Sequence, residues 1–136
     1  LSYRPVFIQP ETRHFWVSTF TVRPGQDAAF VSVLKAYAAA YSAAGDPTPW
    51  VTYQAMAGGT GSSYYLFVPM ESYGLLDREL AASAAVGGKI ASPAEVAAMF
   101  TASTERVDTQ VLTISPDISY VPEEFANQDK AFWKAK

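Results

Sequence analysis

His14 is the one histidine in the chain, and it stands beside Arg13 at the head of an aromatic run. An imidazole titrates near neutral pH, so the chemistry it offers is that of a general base or of a haem or metal ligand. The plainer reading is a histidine exposed or structurally bonded at the mouth of a strand. A second set of residues is aromatic and polar together: Trp16, Phe20, Tyr37, Tyr53, Gln54, Tyr64 and Tyr65. Ring faces with a few hydroxyl and amide groups make a cavity wall suited to a planar apolar ligand. The competing reading is that these rings are core and interface packing, because a sheet covered on both sides needs bulky residues at alternating positions in any case.

Other chemistries lack their residues. There is no cysteine, which removes disulfides, thiolate metal sites and cysteine nucleophiles. Glu123-Glu124 and Asp77 with Glu79 are too sparse for a hard-cation site, so no metal is expected. Segment 58–63, Gly-Gly-Thr-Gly-Ser-Ser, lacks the Gly-Lys-Ser/Thr ending of a phosphate loop and lies between two strand-like runs, which makes it a hairpin loop. No Gly-x-Ser-x-Gly elbow exists to carry a hydrolase serine. A net charge of -3 with dispersed Lys and Arg gives no nucleic-acid footprint. No run reaches the roughly 18 to 20 apolar residues of a membrane helix, so no membrane partner is expected.

The elements that must position these residues belong to one domain, since 136 residues support a single core of ordinary size. Only 17% of the residues are charged, which favours burial of part of the surface in an oligomer interface. Residues 14–22 read as a strand, with Phe15, Val17, Thr19 and Thr21 on one face and Trp16, Phe20 and Val22 on the other. Bulky residues on both faces call for a cover on both. Arg23-Pro24-Gly25 turns the chain, and Phe30, Val33, Leu34, Tyr37, Ala38 and Tyr41 then recur at helical spacing until Gly45, Pro47 and Pro49 end the helix. Residues 50–57 and 63–70 form a hairpin around the glycine-rich loop. A second helical pattern runs from Ser72 to Val86. A third opens on Ser92-Pro93-Ala94-Glu95, with the serine read as cap and the stripe running through Val96, Met99, Phe100 and Ser103 to Val107. The last strand is expected at about 109–114.

Strand, helix, strand, strand, helix, strand is the order of the ferredoxin-like β-α-β-β-α-β arrangement, an α+β fold with a four-stranded antiparallel sheet and helices on one face. The uncovered face is expected to meet the same face of a second copy, closing a dimeric α+β barrel. On this reading residues 1–13, with Val6-Phe7-Ile8 between Pro5 and Pro10, are an extended arm. Residues 14–115 form the domain, and the aromatic tail 116–136 packs on it or on the partner.

The strand 14–22 running into Arg23-Pro24-Gly25, the Phe30/Leu34 helix, the Trp50-x-x-Tyr53 strand and the strand 64–68 resemble the dimeric α+β barrel superfamily. The resemblance spans about 14–114 and is to its antibiotic-biosynthesis-monooxygenase-like and NIPSNAP-like branches. It implies a homodimer without a bound cofactor. It also implies a range of activities, from cofactor-independent oxygenation of polycyclic aromatics to haem degradation and lactone isomerisation, and many members without a known reaction. In the monooxygenase branch tryptophan and tyrosine position the substrate for direct reaction with oxygen, roles that would fall to Trp16 with Tyr64 or Tyr65, and to His14 if a base is needed. The haem-degrading branch uses an asparagine on its sheet-and-helix framework; the sole asparagine here is Asn127 in the tail, so that carry-over fails.

Two functional readings follow. One is a cofactor-independent, monooxygenase-like enzyme acting on a small aromatic or apolar molecule. The other is a non-catalytic homodimer that binds a small molecule or an interaction partner. A chain beginning at Leu1 and not Met is read as one whose leading segment has been removed; signal-peptide removal, and so export to a periplasm or the medium, is weighed against a trimmed cytoplasmic chain.

Overall fold

Strand β1 (His14–Val22), helix α1 (Asp27–Ala44), strands β2 (Val51–Gln54) and β3 (Ser62–Met70), helices α2 (Gly74–Gly87) and α3 (Pro93–Ser103), and strand β4 (Thr104–Thr113) follow in that order. They are seen in a computed structural model that describes residues 2–5, 8–59 and 61–134. The strands form one sheet of order β2-β3-β1-β4 with every neighbouring pair antiparallel, the ferredoxin-like α+β topology. Val6 and Phe7 of the expected apolar triplet, and Thr60 of the hairpin loop, lie outside the described residues.

Alternation along β1 decides the two faces of the sheet. The even positions, Trp16, Ser18, Phe20 and Val22, look toward the helices, and their register partners Val68, Leu66, Tyr64 and Ser62 share that face. Phe15, Val17 and Thr19 look the other way with Pro69, Phe67 and Tyr65. On the helix side the core falls into two clusters. Tyr3, Trp50, Val68, Met70 and Leu75 form one, with Trp16 and Tyr41 packed against it. Val22, Phe30, Leu34 and Tyr64 form the other, flanked by Phe20 and Phe100.

Local chemistry sets the ends of α1. Gly25 takes the positive φ of 76° that the turn after β1 requires, and the Gln26 N–H donates back to the Arg23 carbonyl at 3.0 Å. Asp27 follows in the first turn, where a carboxylate is favoured, and its Oδ1 accepts the Tyr64 hydroxyl at 3.0 Å. That bond ties the head of α1 to the first part of β3. Burial, and then the Asp27 carboxylate, push the Tyr64 hydroxyl up to about 12. The folded chain thus holds this proton above the pH of about 10 at which an unfolded tyrosine releases it. Tyr64 therefore stabilises the fold fully below about pH 10, and that contribution, on the order of 2 kcal/mol, is lost as pH rises through about 12. Urea midpoints measured at pH 9 and pH 11.5 are expected to fall less in Tyr64→Phe than in the unaltered chain.

Two local expectations are corrected. Helix α3 ends at Ser103 and β4 begins at Thr104, so the helical stripe does not continue to Val107. Val107 pairs with Phe20 and Arg106 with Thr21; sheet hydrogen bonding to β1 overrides a helical spacing that happened to continue. Ser92 adopts φ 52° and ψ 60°, and its hydroxyl makes no capping bond to α3. Pro93 does occupy the first turn, and the Ser92 carbonyl accepts the Val96 N–H at 3.1 Å.

The chain ends pack on this body. Tyr3 forms a two-bond antiparallel bridge with Trp50, and its hydroxyl donates to the Asp46 carbonyl at 2.8 Å. In the tail, short helical turns at Glu123–Ala126 and Lys130–Trp133 bring Trp133 against Phe125 and Phe132. Its indole N–H donates to the Pro10 carbonyl at 2.9 Å. Arg13 ion-pairs with Asp129 and lies over the Phe132 ring at 3.9 Å, so the segment before β1 is held by the last helix. Among the described residues no helix is long and apolar enough to cross a membrane.

Candidate functional site

Between the two core clusters the sheet and helices do not meet. The gap is a cavity of about 270 Å³, and its origin lies in β1, where Ser18 sits between Trp16 and Phe20 on the helix-facing side. Two large rings hold the helices off the sheet, and the small side chain between them leaves the space unfilled. Leu34 and Tyr37 of α1 form the roof, and Phe100 of α3 and Trp50 close the ends. A second, wider cleft of about 760 Å³ lies toward α2 and β4, with Leu76, Ser83 and Val111 on its walls. Trp16, Tyr37, Tyr41 and Glu79 line both spaces, so these four form the neck between them.

The neck carries the polar chemistry. Glu79 of α2 accepts the Tyr41 hydroxyl on Oε2 at 2.9 Å and the Thr48 hydroxyl on Oε1 at 2.5 Å. Charge-assisted bonds of this length fix a carboxylate in place. Burial first, and then the adjacent Glu79 carboxylate, push the Tyr41 hydroxyl far above the ordinary tyrosine value. Tyr41 is therefore a donor here and not a phenolate base. The Trp16 Nε1–H is buried and has no hydrogen-bond partner among the described residues. A buried donor left unpaired costs about 1–3 kcal/mol, so this atom calls for an acceptor.

The residues singled out from the sequence are divided among several places. Trp16, Phe20 and Tyr37 are brought together on the inner cavity. Tyr64 shares their face but is buried in the second core cluster against Phe30, with ring centroids 4.9 Å apart. Tyr53 and Tyr65 pair with each other on the opposite face of the sheet, so the expected single wall is cut in two by the backbone. Gln54 lies opposite Tyr64 at the end of β2, exposed and lining neither cavity. His14 lines neither space: its Nδ1 lies 3.0 Å from the Thr113 hydroxyl, and its ring packs on Tyr73 at 4.5 Å. Asn127 accepts a bond from Lys134 at 2.8 Å in the tail, far along the chain from the cavity residues. Among the described residues no group of three or more His, Asp or Glu is placed to hold a metal ion.

Sequence reasoning missed Glu79, Thr48, Tyr41, Trp50 and Ser18. The legible signal was the Trp-x-Ser-x-Phe alternation, which marks a small residue between two large ones on a covered face.

No protein-family model matches the sequence, and comparison with curated proteins found no match. Solved structures do match. SnoaB from Streptomyces nogalater, described as a cofactor-independent oxygenase, is 19% identical over 82% of this chain and 99% of its own, with a TM-score of 0.50. A NIPSNAP family protein of unknown function from Agrobacterium tumefaciens is 11% identical over 81% of this chain and 95% of its own, with a TM-score of 0.53. The chain shares its fold with these proteins. A Pseudomonas aeruginosa protein gives a TM-score of 0.51 at 16% identity, covering 76% of this chain and 95% of that one. The resemblance to the monooxygenase-like and NIPSNAP-like branches therefore holds for the fold, the level at which identities this low speak.

Proposed function

We propose that this chain is a homodimeric, ferredoxin-like binding protein that takes a small, largely apolar aromatic molecule into the cavity between sheet and helices. The observation that carries the reading is the space itself, with Trp16, Phe20, Tyr37, Trp50 and Phe100 among its walls and the small Ser18 between two of the rings; Trp16 also brings a buried indole N–H with no partner among the described residues. A ring seated beside Ser18 would contact Phe20, Leu34 and Tyr37, and a hydroxyl or carbonyl oxygen on it would accept the indole proton. Pairing is supported by the far face of the sheet, where Phe15, Phe67 and Tyr53 form an edge-to-face aromatic row and Leu112 is exposed.

Calorimetric titration with naphthol-type compounds tests the binding. Ser18→Leu fills the space and is expected to remove binding while leaving the circular dichroism unchanged. Trp16→Phe keeps a ring but loses the donor, and is expected to weaken binding by about tenfold. Undiminished affinity in both variants would place the ligand elsewhere or nowhere.

A second reading, oxidation of the bound molecule without a cofactor, draws on the oxygenase described among the proteins of the same fold. An activated methylene would take one atom of dioxygen as a carbonyl oxygen, and its two hydrogens would leave with the other atom as water. Oxygen consumption with anthrone-type compounds measures this directly. Binding without uptake leaves the first reading standing alone.

A further inference from the structure

The neck of the cavity has a charge that the binding reading does not use. Among the described residues Glu79 is the one charged side chain on the walls of either space. Among the described residues it enters no ion pair, its partners being the neutral hydroxyls of Tyr41 and Thr48. Arg78, next to it on α2, lines a separate hollow with Pro47 and Leu75. A space walled by aromatic and aliphatic side chains with one carboxylate outside any ion pair repels an anion and attracts a cation. The two hydroxyl donors orient the carboxylate and still leave each oxygen a lone pair for another donor.

We propose that the molecule bound here also carries a protonated amine, its ring in the inner cavity, its ammonium in the neck against Glu79, and the indole proton of Trp16 left to an oxygen on the same molecule. This rests on the binding reading above and narrows it to a charge class. The wider cleft beyond the neck gives the amine end a route to solvent.

Three probes of one size separate the possibilities: naphthylmethylamine, naphthylmethanol and naphthoate, titrated calorimetrically against the unaltered protein at neutral pH. The amine is expected to bind at least about tenfold more tightly than the alcohol, and the carboxylate more weakly than either. Glu79→Gln is expected to bring the amine down toward the affinity of the alcohol, with a severalfold larger loss for the amine than for the alcohol. An amine that binds no better than the alcohol overturns the inference, and leaves the cavity as a neutral aromatic site. Equal loss of both ligands in Glu79→Gln also overturns it, by reducing Glu79 to a structural tie between α2 and α1. Should none of the three bind, the binding reading fails and takes this one with it. The ranking of probes on the unaltered chain decides the matter even if the variant does not fold.

Discussion

Phe30→Ala is expected to lower the stability of the chain by about 3–5 kcal/mol, a large part of the roughly 5–15 kcal/mol that holds a domain of this kind together. Phe30 is 0% exposed and stands at the centre of the second core cluster. Its ring centroid lies 5.2 Å from that of Phe20 and 4.9 Å from that of Tyr64, so one side chain links α1 to two neighbouring strands. Truncation leaves a void that well-packed neighbours refill only in part. The readout is the urea midpoint with an unchanged slope, and Phe30→Leu should lose well under half as much. A loss below about 1 kcal/mol would mean that α1 does not pack on the sheet as described. The same substitution reaches the cavity, because Phe20 forms one of its walls and leans on Phe30.

On the proposed pairing, Leu112→Asp is expected to convert a dimer to a monomer at micromolar concentration without altering the fold. Leu112 lies opposite Phe15 on the face turned away from the helices, and 43% of its surface is exposed in the single chain. A carboxylate there stays hydrated in a lone subunit and costs little. Pressed against the aromatic row of a second copy it would be desolvated without a partner, a penalty of several kcal/mol or roughly a thousandfold or more in association. Analytical ultracentrifugation checks both halves of the expectation. An unaltered chain that sediments as a monomer removes the proposed pairing, and a variant that remains dimeric moves the interface to another surface.

The fold was legible wherever a local period could be read. Proline and glycine bracket the strand and helix from His14 to Ala44, the apolar spacing switches from two to three and four between them, and the structure follows both. The open sheet face and the helix-covered face were already separable along β1 by parity. The same parity shows why the expected cavity was too broad. Tyr64 and Tyr65 are adjacent in one strand, as are Tyr53 and Gln54, and neighbouring strand residues cannot share a wall. What no local pattern carries is the register between strands, which sets Tyr64 against Phe20 and Tyr65 against Thr19. Glu79 was still harder to find. Its bonds to Tyr41 and Thr48 span 38 and 31 residues, and in the sequence it is one acid among polar neighbours on a helix. The end of α3 was misplaced for a related reason: the pairing that starts β4 at Thr104 is made with a strand some 80 residues earlier, and the Val107 spacing was indifferent to it.

The bridge between Tyr3 and Trp50 has a bearing on solubility. Strand β2 is four residues long and forms one border of the sheet, and at such a border unsatisfied amides can recruit foreign chains into a growing stack. Here Trp50 exchanges both of its backbone bonds with Tyr3, and the Thr52 N–H donates to the Ser2 hydroxyl at 3.1 Å. The leading residues thus act as a selvedge that keeps the fabric from unravelling into its neighbours. Trimming them back should turn a clear solution into material that clouds on standing and binds thioflavin.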